Sequence, residues 1–227
     1  MNKLFLILVC MTITPGAFAA SVTLQPGVTD GIDTYVHSNH PAQPYGGNSN
    51  FYIVNSTSAG YMSRMLLTFG LPSNIINAAI QSATLTMYTY NCDTGSDASA
   101  LIYLNRVTSS WDEMTVSWNT QPAFDTAYQK SISVNDGQTG WLSFSITDIV
   151  QFWASNPAQN YGVVLEAEQL PYNFQMFYSS ENTSYPLLRP MLTIEYEPAA
   201  QPAVPELASL FLLSFAGIGL LFRKMRG

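Results

Sequence analysis

Met62 to Phe69 is a short apolar-rich run, and within Ser82 to Tyr90 apolar residues alternate with polar or β-branched ones at a period of two. That repeat turns successive side chains to opposite faces of a strand. Similar short runs follow at Leu101–Val107, Thr115–Trp118, Gly162–Ala167, Gln175–Ser180 and Met191–Tyr196, each bounded by Gly, Pro, Asn, Asp or Ser. Helical spacing is confined to Asp148–Ala154, with Thr147 at the capping position and Asn156-Pro157 ending the run. Seven or more half-apolar strands must each bury one face. The expected fold is therefore all-β: a jelly-roll-like antiparallel β-sandwich with one short helix. A parallel sheet would need crossover helices that this pattern lacks.

The two ends depart from the alternation. Lys3 precedes an apolar run from Leu4 to Ile13 and a small-x-small triplet, Ala17-Phe18-Ala19, which together predict a cleavable export signal over 1–19. At the other end, Leu207 to Phe222 carries no charge and is followed by Arg223, Lys224 and Arg226. That order predicts a membrane helix with a basic cytoplasmic stop. The domain is expected over 20–198, an Ala/Pro/Gln spacer over 199–203 and the tail over 204–227.

Val204-Pro205-Glu206, the apolar stretch and the terminal basic cluster resemble a PEP-CTERM sorting signal. The resemblance implies an exosortase-type processing enzyme as partner, anchoring to the inner membrane before cleavage, and delivery to the cell surface or exopolysaccharide matrix. The generic alternative is a plain C-terminal membrane anchor.

Composition narrows the chemistry. Between Ala20 and Ala203 only Arg64, Arg106, Lys130 and Arg189 are basic, against fourteen acidic residues. A basic footprint for nucleic acid is absent. Cys92 is the one cysteine left once the signal segment, with Cys10, is set aside, so no internal disulfide is expected and Cys92 reads as a small apolar filler.

Several motifs resemble, in order, the DNRLRE domain, a carbohydrate-binding-module-like β-sandwich of secreted bacterial and archaeal proteins. They are Asp33-Thr34-Tyr35-Val36, Pro44-Tyr45-Gly46-Gly47-Asn48, Arg64-Met65-Leu66-Leu67-Thr68-Phe69 and Ile80-Gln81-Ser82-Ala83-Thr84-Leu85. The most specific is Trp111-Asp112-Glu113-Met114-Thr115-Val116-Ser117-Trp118-Asn119, and Ser179-Ser180-Glu181 and Arg189-Pro190-Met191-Leu192 follow. The resemblance implies a non-catalytic module that binds a polysaccharide. The alternatives are a structural or adhesive matrix protein without a glycan pocket, and a polysaccharide-active enzyme.

Candidate chemistry follows from residue type. Flat rings stack on sugars, and Tyr45, Tyr128, Tyr172 and Tyr185 stand beside loop-forming residues, so they are the expected glycan contacts. The scarcity of cations favours a neutral glycan. Trp111, Trp118 and Trp153 are expected to pack. Asp30, Asp33, Asn48 and Asp93 offer loop oxygens for a structural calcium ion. Glu113 is expected to pair with Arg64 or Arg189, and His37 with His40 makes only half of a transition-metal site.

Overall fold

The computed structural model describes residues 19–198. The body of the signal segment, the spacer and the tail with Val204, Pro205, Glu206, Arg223, Lys224 and Arg226 lie outside the described residues. Among the described residues no helix is long and apolar enough to cross a membrane.

Eleven strands run in chain order: β1 (Ala20–Leu24), β2 (Ile32–His37), β3 (Asn50–Ser56), β4 (Tyr61–Thr68), β5 (Ala79–Asp93), β6 (Ser99–Val107), β7 (Phe124–Asn135), β8 (Gly140–Ser145), β9 (Val163–Ala167), β10 (Phe174–Tyr178) and β11 (Met191–Glu197). Every named strand pair is antiparallel, as the alternation predicts. The strands form one hydrogen-bonded sheet, not two separate ones, in the order β1-β11-β5-β10-β3-β4-β9-β6-β7, with β2 also on β4 and β8 also on β5. The connector is β10, paired to β5 on one edge and β3 on the other, so the sheet curls until its two arms face each other.

Between the arms lies the main core. Leu85 and Met87 of β5, Phe144 of β8 and Ile194 of β11 share it with Phe51, Ile53, Met65, Leu67, Ile102 and Leu165 from the other arm. Each large apolar side chain fully buried there contributes about 1.5–3 kcal/mol relative to exposure. The helix α1 (Thr147–Ser155) adds Ile149, Val150 and Trp153. Thr147 does not cap it: Oγ1 accepts a hydrogen bond from the Ala83 amide at 3.0 Å, tying the helix to β5.

A second, smaller core covers the outer face of the β2-β4-β9-β6 arm. Val36, Leu66, Val107, Val116 and Val164 are buried there beneath Trp111, Trp118, Phe124 and Tyr161. The expected strand Thr115–Trp118 is instead part of this cover, a turn running into the short 3₁₀ segment Trp118–Thr120. Its short alternation reflects contact with a sheet face, not pairing within one.

Arg64 pins the cover. Its guanidinium lies 4.9 Å from the Trp118 ring centre and 5.4 Å from that of Phe124. Nε donates to Glu166 Oε1 at 2.6 Å and Nη1 to Gln121 Oε1 at 2.7 Å. This half-buried pair is held on four sides, unlike Lys130 and Asp148, which meet at 2.5 Å with side chains 29% and 46% exposed. Arg64→Ala is therefore expected to cost about 2–3 kcal/mol in urea denaturation, because Glu166 loses its partner, while Lys130→Ala changes stability by less than about 0.5 kcal/mol.

Candidate functional site

On β5 the inward residues are Ala83, Leu85 and Met87, and the outward phase runs Thr84, Thr86, Tyr88 and Tyr90. Strand register sets Trp141 of β8 opposite Tyr88, and the two rings meet edge to face at 5.4 Å. On the other side Tyr178 of β10 stacks on Tyr90 at 4.6 Å and lies 6.1 Å from Tyr88. Tyr185, in the loop after β10, leans on Tyr178 at 5.2 Å. Two residues before Tyr178, Met176 faces the same way and stands opposite Tyr52 of β3.

From Tyr52 the row continues to Tyr35 at 4.7 Å, which stacks on Tyr45 at 4.2 Å. It also reaches His37, 5.8 Å from Tyr52 and stacked at 4.8 Å on Tyr61. The product is a band of rings across β8, β5, β10 and β3 that turns inward at β2, where Tyr35 is 6% and His37 5% exposed and Tyr35 belongs to the main core. Trp141 is 42% and Tyr185 54% exposed, so the band is open to solvent at those rings.

Within it lies a depression of about 240 Å³ lined by Tyr35, Asn48, Ser49, Asn50, Tyr52 and Met176. Asn48 Nδ2 donates to the Tyr35 hydroxyl at 3.3 Å. Burial, then the neighbouring Tyr178, pushes the Tyr90 hydroxyl up to about 12. Burial and Tyr35 raise Tyr52 as well. These hydroxyls stay neutral and able to donate, so the band combines apolar ring faces with hydroxyl and amide groups.

Of the four tyrosines expected as glycan contacts, Tyr45 and Tyr185 belong to this band. Tyr128 does not: it sits on β7, not in a loop, with its ring 5.0 Å from the Arg106 guanidinium and 6.0 Å from Phe152. Tyr172 is 40% exposed between β9 and β10 and has no ring neighbour among the described residues. Sequence reasoning missed Tyr52, Tyr88, Tyr90, Trp141 and Tyr178. The available signal was phase: Tyr88 and Tyr90 occupy the positions of β5 that alternate with its apolar ones, where polar residues ordinarily stand.

The four expected calcium ligands are engaged separately. Asp30 Oδ1 accepts from the Gly27 amide at 2.7 Å, Asp93 Oδ1 from the Gly95 amide at 2.9 Å, and Asn48 supports Tyr35. Asp33 alone enters an acidic cluster, with Glu113 and Glu181, in which the carboxylate oxygens lie within 4.8 Å of one another. Glu113 thus pairs with neither Arg64 nor Arg189; its Oε1 accepts from the Asp33 amide at 3.2 Å. The reason is that Asp112 closes a turn, its Oδ1 accepting from the Met114 amide and the Thr115 hydroxyl, and this takes Glu113 off any strand.

Burial first, then the charge of Glu181, hold the Asp33 carboxyl well above the usual range. Burial also raises Glu113. His37 and His40 lie 5.2 Å apart between ring centres, within the aromatic band. Cys92 is free and buried in the core, the filler role expected of it.

The sequence profile of carbohydrate-binding module family 96 matches residues 26–196, nearly the whole described domain. Two curated relatives are similar over a shorter stretch. One, named tRNA3(Ser)-specific nuclease WapA, from Bacillus spizizenii, is 31% identical over 159 residues, 63% of this chain and 6% of that protein. The other, named tRNA nuclease WapA, from Bacillus subtilis strain 168, is 30% identical over 157 residues, again 63% of this chain and 6% of the relative. The chain therefore spans only a small fraction of either relative's length.

The band carries its own pH dependence at His37. Burial, then His40, push this imidazole below its ordinary value of 6.5, so the unfolded chain takes up the proton more readily than the folded one. The stability that neutral His37 contributes is present above about pH 6.5 and is lost as pH falls through its lower folded value. The unfolding free energy of the protein, measured in urea at pH 7 and pH 5.5, should drop more on acidification than that of His37→Phe.

Proposed function

The chain belongs to carbohydrate-binding module family 96, and on that premise we propose that it is a non-catalytic, exported module that holds a polysaccharide on its outer aromatic band. The observation that carries the proposal is the row Trp141, Tyr88, Tyr178, Met176 and Tyr52 on the paired strands β8, β5, β10 and β3, with Tyr45 of the β2–β3 loop at its end. Sugar rings present flat C–H faces and hydroxyl edges. The band offers matching apolar planes and, at its depression, Asn48, Ser49 and Asn50.

Charge supports a neutral chain as ligand. Arg64 is paired with Glu166, Arg106 with Asp125 and Lys130 with Asp148, and none of these cations lines the depression. A non-catalytic role is supported by the acidic cluster, in which Asp33 is 4% exposed and so is not presented to a bound chain. The closer resemblance to the DNRLRE domain rests on the motif from Trp111 to Asn119. Export, exosortase processing of the tail and display at the surface or in the matrix rest on the terminal sequence patterns.

Affinity electrophoresis of the full chain against neutral and uronate polysaccharides tests the proposal. Tyr88→Ala, Tyr178→Ala and Tyr52→Ala should each weaken retardation by a neutral chain about fivefold to tenfold, equivalent to about 1–1.4 kcal/mol per ring. Tyr128→Ala and Tyr172→Ala should leave it unchanged. Retardation by uronate chains alone would move the site away from the band, and no retardation by any chain would favour a matrix-structural role.

A further inference from the structure

We propose that Asp33, Glu113 and Glu181 form a calcium site that fastens strand β2 and two loops together beside the aromatic band. The proposal concerns the cation and stands independently of the glycan assignment. Each carboxylate comes from a different segment: Asp33 from β2, Glu113 from the turn after Trp111, and Glu181 from the loop after β10. These segments are far apart in the chain and converge only in the fold.

The local hydrogen bonds are too few for three carboxylates. The Ser180 amide donates to Asp33 Oδ2 at 3.0 Å, the Ser180 hydroxyl to Glu181 Oε1 at 2.8 Å and the Asp33 amide to Glu113 Oε1 at 3.2 Å. Glu181 Oε2 is fully buried and has no hydrogen-bond partner, and Asp33 is 4% exposed. A buried carboxylate oxygen without a donor or cation is costly. Every basic side chain among the described residues is engaged elsewhere: Arg64 with Glu166, Arg106 with Asp125, Lys130 with Asp148, and Arg189 through Nε with the Asn182 carbonyl.

The donor set selects the ion. Three carboxylates supply hard oxygen ligands without thiolate or imidazole, which suits calcium better than zinc, and calcium tolerates irregular geometry and added carbonyls or water. Two glycines let the loops close on the cluster. A Cβ at Gly31 would lie 2.1 Å from the Ser180 hydroxyl oxygen, and one at Gly46 2.4 Å from the Glu113 carbonyl oxygen.

The position has a consequence for the band. The Ser179 hydroxyl donates to the Asn48 carbonyl at 2.6 Å, and Asn182 Nδ2 donates to the Ser49 carbonyl at 3.1 Å. The loop carrying Glu181 therefore holds the loop that lines the depression beside Tyr35. A cation bound at the cluster fixes that wall in place.

The test is calorimetric titration of the chelator-treated full chain with calcium chloride, with magnesium chloride in parallel, and thermal unfolding in both states, all without sugar. One calcium site is expected, raising Tm by about 5 °C or more at free calcium about a hundredfold above its dissociation constant. E181Q should weaken calcium binding more than tenfold, whereas E195Q, on β11, should bind as the parent does. Absence of binding heat and of any Tm change in the parent chain would overturn the proposal, whether or not E181Q folds. Tighter magnesium than calcium binding, or equal binding by E181Q and the parent, would do so too.

Discussion

The position of Arg64 governs which surfaces of the curled sheet remain available. Its guanidinium is held between Trp118 and Phe124 and hydrogen-bonded to Glu166 and Gln121, so the segment from Trp111 to Gln121 is kept on the outer face of the β2-β4-β9-β6 arm. That segment turns a sheet face into a second core and removes Leu66, Val107 and Val164 from water. Among the described residues the outer face of the other arm has no such cover. Its side chains meet solvent directly, and there the outward positions of β5, β8 and β10 carry Tyr88, Tyr90, Trp141 and Tyr178.

The same covering segment delivers Glu113 to the acidic cluster, which links the small core to the loops beside the band. Electrostatics and packing are joined here. The turn closed by Asp112 sets both where Val116 and Trp118 pack and where Glu113 points. A cluster of carboxylates with one member buried is an expensive feature for a domain with few basic residues.

Rigidity distinguishes the aromatic band from a loop-built site. Most of its rings stand on paired strands and touch other rings at 4.2–6.1 Å, so their rotamers are set before any ligand arrives. Preorganised rings lose little side-chain entropy on binding. On the proposed function, acidic composition and paired cations would leave recognition by the band to stacking and hydroxyl or amide contacts.

The sequence by itself determined the all-β class, the antiparallel strands, the one short α-helix of the described residues, ending before Pro157, and the packing role of the three tryptophans, because period-two alternation and turn residues are local signals, whereas the closure into one curled sheet instead of a two-sheet sandwich was not legible. It also drew attention to Tyr45, Tyr185 and Asp33, which the fold places at the band and the acidic cluster. Which rings share a face, and which carboxylates meet, were decided only by tertiary structure. Tyr88, Trp141 and Tyr178 are neighbours through strand register. Glu113 left its expected arginine because a turn replaced the expected strand. Tyr128 was lost to the band because β7 carries it against Arg106 and Phe152. Alternation states that a residue points outward, but a curled sheet has two outer faces, and only the pairing of β10 with both β3 and β5 decides which residues stand together on one of them.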